Sequence, residues 1–186
     1  MTMRTWRGRV FIGTSVDGKI AREDGTLDWL TNLPTTGHTV DESNAHPALI
    51  WETFYDTVDA IVMGRATYDT VLRFDTWPFD GTHVIVLTTG GTIDDPRVRA
   101  AASVDDASRL LGSLDVREVY IDGGQTIQAF LRADLVDELT ISTAPIVLGS
   151  GRSLFGTLDT ELRLTVRGNH ATDNGLIRTT YDVVRA

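Results

Sequence analysis

Val119-Tyr120-Ile121-Asp122-Gly123-Gly124-Gln125-Thr126 passes from a short apolar run through two glycines into a helical pattern. In that pattern Ile127, Phe130 and Leu131 share one face, which predicts a helix over residues 124–133. A turn of this kind exposes free backbone N–H groups at the positive end of a helix, where a phosphate group can bind. A side chain in place of either glycine would block close approach of a ligand to the backbone. The alternative interpretation is a tight strand-to-helix turn that binds no ligand.

Two other apolar runs end in residues that could contact a phosphate or a sugar. Met63-Gly64-Arg65-Ala66-Thr67-Tyr68 opens a second helix, where Arg65 offers a planar fork and Thr67 a hydroxyl. Leu87-Thr88-Thr89-Gly90-Gly91 places two hydroxyls after a buried strand. Taken alone, the first stretch also fits a helix start with a solvated arginine, and the second fits a polar loop. Because ligands of open α/β sheets bind at the carboxyl ends of the strands, the three sites together predict one elongated ligand-binding edge.

The order of the segments predicts an α/β fold with a mostly parallel sheet, antiparallel C-terminal strands and helices on both faces. Runs that are apolar on both faces, such as 60–63 and 84–87, are typical of central parallel strands. The strands are predicted at residues 9–14, 60–63, 83–88, 98–102, 118–121, 138–147, 161–169 and 176–184. The other helices are predicted at 47–57, with Glu42 or Asn44 as a cap, and at 65–72 and 105–114. Asp173-Asn174-Gly175 is a hairpin signal between the last two strands. No repeat or linker interrupts the pattern, so we expect a single domain over residues 1–186.

Composition narrows the possible functions. Of the 186 residues, 41% are hydrophobic and 23% are charged, as in an ordinary globular protein. The absence of cysteine excludes disulfides, thiol catalysis and cysteine metal sites, and the four scattered histidines lack metal-ligand spacing, so no metal is expected. A net charge of −9 argues against binding to nucleic acid or to an anionic membrane surface. No apolar run has the length of a membrane span, and no signal-peptide core follows Met1, so we expect a cytoplasmic protein.

Gly13-Thr14-Ser15-Val16-Asp17-Gly18-Lys19-Ile20 has a rival interpretation as a nucleoside-triphosphate P-loop. That motif requires Ser or Thr after the lysine to hold Mg²⁺, and Ile20 stands there instead. The next residues predict a turn rather than a helix, so a kinase or NTPase is disfavoured. Asp17 and Asp122 lie beside predicted strand ends at the same edge, where either could hydrogen-bond a polar heterocycle. Asp17 is equally well explained as a turn former.

The order and spacing of these segments resemble the dihydrofolate reductase fold. Within that fold they are most similar to the branch related to the C-terminal reductase domain of bifunctional riboflavin-biosynthesis proteins. The resemblance covers residues 9–184 and rests on the stretches 14–21, 63–68 and 122–125. Its most branch-specific part is Asp137-Glu138-Leu139, followed by the stretch 145–155.

The resemblance implies NADPH as the cofactor. It implies that the adenosine and its 2′-phosphate are held by Arg65, Thr67, Thr88 and Thr89. It implies that the pyrophosphate is held by Gly123, Gly124, Gln125 and Thr126. The nicotinamide would be lined by Gly13, Thr14, Ile20 and Ala21. It also implies that Asp28-Trp29-Leu30 and the polar loop up to His46 cover the substrate. The candidate substrate contacts are therefore Asp122, Asp17 and Trp29. No catalytic side chain is assigned.

Two acidic positions of the related families narrow the range of possible substrates. Folate reductases carry a carboxylate in the first helix, which supports protonation of the pterin ring, but the matching residue here is Ala48. The riboflavin branch has an acidic residue directly before the paired glycines, and Asp122 stands there. We therefore expect an NADPH-dependent reductase that acts on a C=N or C=O bond of a pyrimidine- or pterin-like compound. It would resemble 5-amino-6-(5-phosphoribosylamino)uracil reductase. The alternatives are dihydrofolate reductase activity and a nucleotide-binding module without turnover.

The C-terminal strands also predict self-association. Apolar and polar residues alternate along two long predicted strands, at Thr140-Ile141-Ser142 and at Leu164-Thr165-Val166. An uncovered edge or face of such strands would tend to associate with another chain. We expect a homodimer that buries part of this region, as the resemblance also implies, with a small molecule as the other partner.

Overall fold

The computed structural model describes residues 4–33 and 46–185. In chain order the strands are β1 (Arg7–Ser15), β2 (Lys19–Ala21), β3 (Ala60–Gly64), β4 (His83–Leu87), β5 (Val98–Ala101), β6 (Glu118–Asp122), β7 (Glu138–Ala144), β8 (Arg152–Ser153), β9 (Arg163–Ala171) and β10 (Ile177–Val184). The helices are α1 (Asp28–Thr31), α2 (Trp51–Tyr55), α3 (Arg65–Val71), α4 (Val104–Ser113) and α5 (Gly124–Arg132).

Eight of these strands form one sheet, in the order β5-β4-β3-β6-β1-β7-β10-β9. All neighbours from β5 to β7 are parallel, whereas β10 pairs antiparallel with both β7 and β9. The predicted mostly parallel sheet with antiparallel C-terminal strands is confirmed. The parallel strands all end on one side of the sheet. We call that side, formed by the ends of β1, β3, β4, β6 and β7, the carboxyl edge, and the opposite side the amino edge.

The sheet is held between two layers of helices. On one face, Leu111 of α4 and Ile127 and Phe130 of α5 share a buried cluster with Val62 and Ile121. On the other face, α2 and α3 supply the buried side chains of a second cluster that covers β3, β4 and β6. The central strands are buried on both faces because helices cover both, as their unbroken apolar runs predict.

One predicted helix is shorter than expected. Only Trp51–Tyr55 of the range 47–57 is helical, and Ile50 before it is extended. The residues before Ile50 instead bond to the C-terminal strands: Asn169 donates its backbone N–H to His46 O at 3.0 Å, and Leu49 donates its own to Thr180 Oγ1 at 3.0 Å. Pairing with the sheet thus replaces helical hydrogen bonding in this segment. The candidate caps Glu42 and Asn44 lie outside the described residues.

Three short elements were not predicted from the sequence. The strands β2 and β8 form a separate two-stranded antiparallel sheet, in which Lys19 lies opposite Ser153. The third is α1, which has four residues. Elements of two to four residues are too short to give a hydrophobic period, so their presence depends on the packing around them. None of the helices in the described ranges is long and apolar enough to cross a membrane.

Candidate cofactor and substrate site

The glycines of two neighbouring strand ends meet at the carboxyl edge. In the pairing of β3 with β6, Met63 lies opposite Asp122, so Gly64 and Gly123 follow side by side. A Cβ atom on Gly123 would lie 2.4 Å from Thr67 Oγ1, and one on Gly64 would lie 3.0 Å from Thr126 Oγ1. Gly123 also has a φ of 87°, in the left-handed region that favours glycine. The starts of α3 and α5 therefore approach each other closely across a turn that only glycine fits.

The first turns of these two helices keep their backbone donors available. In the described part of the chain, no side chain caps the start of α3 or α5. The start of α4 differs, because Ser103 Oγ accepts a hydrogen bond from the backbone N–H of Asp106 at 3.1 Å. Uncapped N–H groups at a helix start can bind an anion. The pair of uncapped starts at Gly64 and Gly123 is the part of the edge best suited to a pyrophosphate.

The β1–β2 segment lies against the same turn. A Cβ atom on Gly124 would be 2.5 Å from Ile20 Cδ1, and one on Gly13 would be 2.5 Å from Leu30 Cδ2. Thr14 and Ala21 are buried. The structure thus brings Ile20 next to the turn predicted to hold a pyrophosphate, whereas Gly13 contacts Leu30 of α1.

The remaining predicted cofactor contacts continue the edge outward from β6. Arg65 is half-exposed, and its Nε donates to Asp69 Oδ1 at 2.8 Å. Thr88 donates to Gly90 O at 3.1 Å at the end of β4, and Thr89 is exposed. Beyond them, an open cavity of about 450 Å³ lies at the end of β5 and the start of α4. Gln125 is exposed and Thr126 is buried. All twelve predicted contacts thus belong to this edge or to the β1–β2 segment packed on it, and their binding role stays a prediction.

Asp122 lies between the glycine turn and β1. Its Oδ1 accepts the backbone N–H of Gly123 at 2.8 Å. Burial raises the pKa of the Asp122 carboxyl above its ordinary value. Tyr120, two residues earlier on β6, donates its hydroxyl to Phe11 O at 3.2 Å, and burial together with the Asp122 charge raises the pKa of that phenol. Asp122 thus keeps its proton at a higher pH than an exposed aspartate, which suits a group that interacts with a polar heterocycle.

Asp17 is engaged in the fold. It accepts hydrogen bonds from Ser15 Oγ at 2.7 Å and from the backbone N–H groups of Leu148 and Gly149 at 3.0 and 2.9 Å. These bonds, the one from Ser15 first, lower the pKa of Asp17 to about 2. The carboxylate therefore ties the turn after β1 to the loop after β7, as its interpretation as a turn former predicts. No helix follows Lys19, as a P-loop would require, because β2 occupies that position.

Trp29 is 5% exposed and packs against Ala144 and Leu176. In the described residues, its indole Nε1 is buried without a hydrogen-bond partner. Its side chain thus closes a small cluster at the end of β7. Its role as a substrate contact stays a prediction.

Sequence reasoning missed three polar side chains on the C-terminal strands. They are Ser142 on β7, Arg178 on β10 and His170 on β9, which lie directly opposite one another across the sheet. The chain separates them widely, and no local motif contains them. Only the register of the three strands could have revealed them.

The sheet is that of a dihydrofolate reductase-like fold. Dihydrofolate reductase from Enterococcus faecalis, solved in a complex with NADP(H), is similar at a TM-score of 0.60 with 15% identity over the whole of both chains. The chain belongs to the family of RibD C-terminal domains, whose model matches residues 8–178.

The relatives support this assignment. A protein from Shewanella sp. PV-4 assigned to riboflavin biosynthesis is 37% identical, with a TM-score of 0.81 over 96% of this chain and 99% of its own. The Bacillus subtilis protein YwjB is 31% identical over 86% of this chain and 88% of its own. The Thermotoga maritima diaminohydroxyphosphoribosylaminopyrimidine deaminase/5-amino-6-(5-phosphoribosylamino)uracil reductase has a TM-score of 0.68 at 16% identity, over 97% of this chain and 57% of its own.

Proposed function

We propose that this protein is an NADPH-dependent reductase that delivers hydride to a C=N or C=O bond of a pyrimidine- or pterin-like substrate. The observation that carries the proposal is the glycine turn after β6, where the uncapped starts of α3 and α5 face each other across Gly64 and Gly123. Membership of the RibD C-terminal family supports it, as does the similar fold of a dihydrofolate reductase that was solved with NADP(H).

The residues present fit a dinucleotide. A Cβ atom on Gly123 would meet Thr67 and one on Gly124 would meet Ile20, so the glycines allow α3 and β2 to pack against the turn. The N–H groups at the starts of α3 and α5, which no side chain caps in the described residues, are donors for a pyrophosphate. At the exposed end of α3, Arg65 provides a guanidinium for a 2′-phosphate and has only a surface partner, Asp69. The bound nicotinamide would supply the hydride.

The protein's own contribution is positioning. Gly123 and Gly124 bind the pyrophosphate through the backbone, and Ile20 and Gly13 border the nicotinamide. Asp122, whose carboxyl has a raised pKa, orients the substrate heterocycle by a hydrogen bond. The β1–β2 segment and α1 exclude water from this end of the edge.

A uracil-type substrate, as in 5-amino-6-(5-phosphoribosylamino)uracil reductase, is favoured over dihydrofolate. By the sequence resemblance, the position at which folate reductases carry a carboxylate is Ala48, which is 4% exposed and precedes α2, and Glu52 on α2 is exposed. Among the described residues, a pterin ring would therefore lack a carboxylate at that position, whereas Asp122 is available to a pyrimidine.

Titration with NADPH and NADH tests the proposal first. We expect NADPH to bind more tightly than NADH, followed by NADPH oxidation with 5-amino-6-(5-phosphoribosylamino)uracil and little or none with dihydrofolate. NADPH binding without turnover on either compound would support a binding module instead. If neither nucleotide binds, the proposal is overturned.

We also propose a homodimer. The last strand of the sheet, β9, has an unpaired edge in the described structure, and Leu164 and Val166 on it are 36% and 56% exposed. An exposed strand edge with apolar side chains favours pairing with a second copy. Light scattering at micromolar concentration should give twice the chain mass, and Val166→Lys should shift it toward the monomer. A monomeric wild-type protein would contradict the proposal.

A further inference from the structure

Four residues form a straight row across the C-terminal half of the sheet. Gly13 on β1 lies opposite Ser142 on β7, Ser142 opposite Arg178 on β10, and Arg178 opposite His170 on β9. Residues directly opposite each other in a sheet place their side chains on the same face. Ser142, Arg178 and His170 are therefore neighbours on the face that Gly13 also lines.

The guanidinium of Arg178 is held in a defined orientation. Its Nε donates to Ser142 Oγ at 2.8 Å, and its central carbon lies 5.0 Å from the centre of the Phe11 ring. Stacking on an aromatic ring and a hydrogen bond at Nε together fix the plane of the group. Among the described residues, neither terminal nitrogen has a hydrogen-bond partner, so both can form the parallel pair of hydrogen bonds with which arginine binds an oxyanion.

Among the described arginines, Arg178 alone is half-buried without a carboxylate within 4 Å. Ten of the described arginines lie within 4 Å of an aspartate or glutamate: Arg4, Arg7, Arg9, Arg22, Arg65, Arg97, Arg109, Arg163, Arg167 and Arg185. The others without such a pair are exposed, namely Arg73, Arg99, Arg117, Arg132 and Arg152. Arg178 is half-buried, and within the described residues it has no carboxylate at that distance. Partial burial of a cation without a counter-ion costs free energy, which binding of an anion would recover.

His170 adds a second unsatisfied group. In the described part of the chain, its Nδ1 is buried without a hydrogen-bond partner. Burial, and then the charge of Arg178, lower the pKa of the imidazole, so the ring is neutral at pH 7. Of the other charged groups, Glu52 of α2 acts on Arg178 from beyond ion-pair distance. The row thus presents one cation and one neutral ring nitrogen.

The row is next to the proposed reductase site. Phe11, which stacks on Arg178, accepts the hydroxyl of Tyr120, and Tyr120 interacts with Asp122. The ring of Trp51 meets Phe11 edge-on at 5.4 Å and adds an aromatic surface. Arg178 on β10 is thus linked through Phe11 and Tyr120 to Asp122 on β6.

We propose that Arg178, oriented by Ser142 and Phe11, binds an oxyanion of the substrate, either a carboxylate or a phosphate. The inference rests on the proposed function for the existence of a substrate, and it deepens that function because it names the residue that binds the substrate's anionic group. The net charge of −9 gives an anion no general attraction to this protein, so a local cation is needed to bind one.

Small anions test the inference without a known substrate. The probes are benzoate and inorganic phosphate, with uncharged benzamide as the control, and the readout is the NMR signal of the His170 ring. We expect one of the anions to shift this signal and to raise the pKa of His170, because a bound anion neutralises Arg178. Benzamide should do neither. The anion that acts identifies the group as carboxylate or phosphate.

Variants show whether Arg178 is responsible. Arg178→Gln should weaken anion binding by about tenfold or more, whereas Arg163→Gln, which changes an exposed arginine on β9, should leave it unchanged. Arg178→Lys retains the positive charge but lacks the paired N–H donors of the guanidinium, so it should bind the anion weakly. If Arg178→Gln does not fold, Arg178→Lys provides the test. Equal binding to the wild type and to both Arg178 variants, or no response of His170 to either anion, would overturn the inference. Because NADPH titration is independent of these probes, failure of the proposed function would be seen separately.

Discussion

The two edges of the same sheet differ in whether their charged and polar groups have partners within the described protein. At the amino edge, Glu138 is fully buried and contacts Arg9 at 2.8 Å and Arg167 at 2.5 Å. Next to it, Asp137 pairs with both Arg4 and Arg185. The charges at this edge neutralise one another, so removal of one partner would leave a buried charge uncompensated, and little charge is left for a ligand.

The carboxyl edge leaves polar groups unsatisfied. The helix starts at Gly64 and Gly123 have no side-chain cap in the described structure, Arg178 has no carboxylate within 4 Å among the described residues, and the pKa of Asp122 is raised by burial. Such groups lower stability unless something binds them. If the proposed function is right, the amino edge serves folding and the carboxyl edge serves binding, and the variants below test that division.

The largest effect is expected from Glu138→Ala. Among the described residues, its removal leaves the buried Arg9 with Thr57 Oγ1 at 2.7 Å and one carboxylate, Glu118 at 3.3 Å, so the free energy of unfolding should fall by about 3–5 kcal/mol. Glu161→Ala is the matched control, because its pair with Arg163 is exposed and contributes at most about 1 kcal/mol. Denaturant unfolding of both proteins measures the difference. Equal losses of unfolding free energy in the two variants would contradict the division between the edges. Weaker NADPH binding by the folded Glu138→Ala protein would contradict it as well.

Gly124→Val should affect binding rather than stability. The new side chain would occupy the backbone approach of the pyrophosphate, and it displaces only the flexible end of Ile20. We expect the Kd for NADPH to rise by about 100-fold, or about 2.7 kcal/mol. Gly112→Val in α4, where a Cβ atom meets open space, is the control and should bind normally. A melting temperature that falls together with affinity would show that Gly124 serves the turn.

Asp122→Asn should lower kcat/KM about 30- to 150-fold, equivalent to about 2–3 kcal/mol, because the variant loses a charge-assisted hydrogen bond to the substrate. NADPH affinity should stay nearly unchanged. Since burial raises the pKa of Asp122, the wild-type rate should change with pH above the ordinary range of an aspartate, and this change should be missing in the variant. If Asp122 only accepts the Gly123 N–H, turnover will be almost normal.

Arg65→Ala should weaken NADPH by about tenfold to a hundredfold, the range for losing a charge-assisted bond of about 1.5–3 kcal/mol. NADH lacks the 2′-phosphate, so its affinity should hardly change. Asp69→Ala is the control, because it frees Arg65 from its surface pair and should leave NADPH binding equal or slightly tighter. Calorimetric titration of each protein with both cofactors separates these cases. Equal weakening of the two cofactors would rule out phosphate recognition by Arg65.

The smallest effect is expected from Asp17→Asn. The pKa of Asp17 is lowered from 3.8 to about 2 in the folded protein, so its carboxylate contributes stability above pH 3.8 that is lost as the pH falls toward 2. The variant should therefore be less stable than the wild type at neutral pH, and the difference should disappear near pH 2. Urea unfolding at both pH values measures it. A difference that is independent of pH would mean that the charge of Asp17 does not matter.

Much of the carboxyl edge could be predicted from the sequence because its signals are local. The apolar runs that became β3, β4 and β6 are each followed directly by the glycines or threonines of the candidate site. Because parallel strands of one sheet end at the same edge, those residues share that edge. The helix predicted over 47–57 was largely wrong for the opposite reason, since its first residues bond to strands that lie more than a hundred residues later.

Local patterns in the sequence were therefore enough for the α/β class, the burial of the central strands and the line of cofactor-binding candidates. The tertiary structure alone showed that Asp17 bonds the loop after β7, and that Ser142, Arg178 and His170 stand in one row. Each of these contacts depends on how one strand or loop is placed against another. The pairing of β9 with β10 is an example of this dependence, because its register shifts between Thr180 and Tyr181. A displacement of one residue would turn Arg178 to the opposite face, because neighbouring residues of a strand point to opposite sides of a sheet.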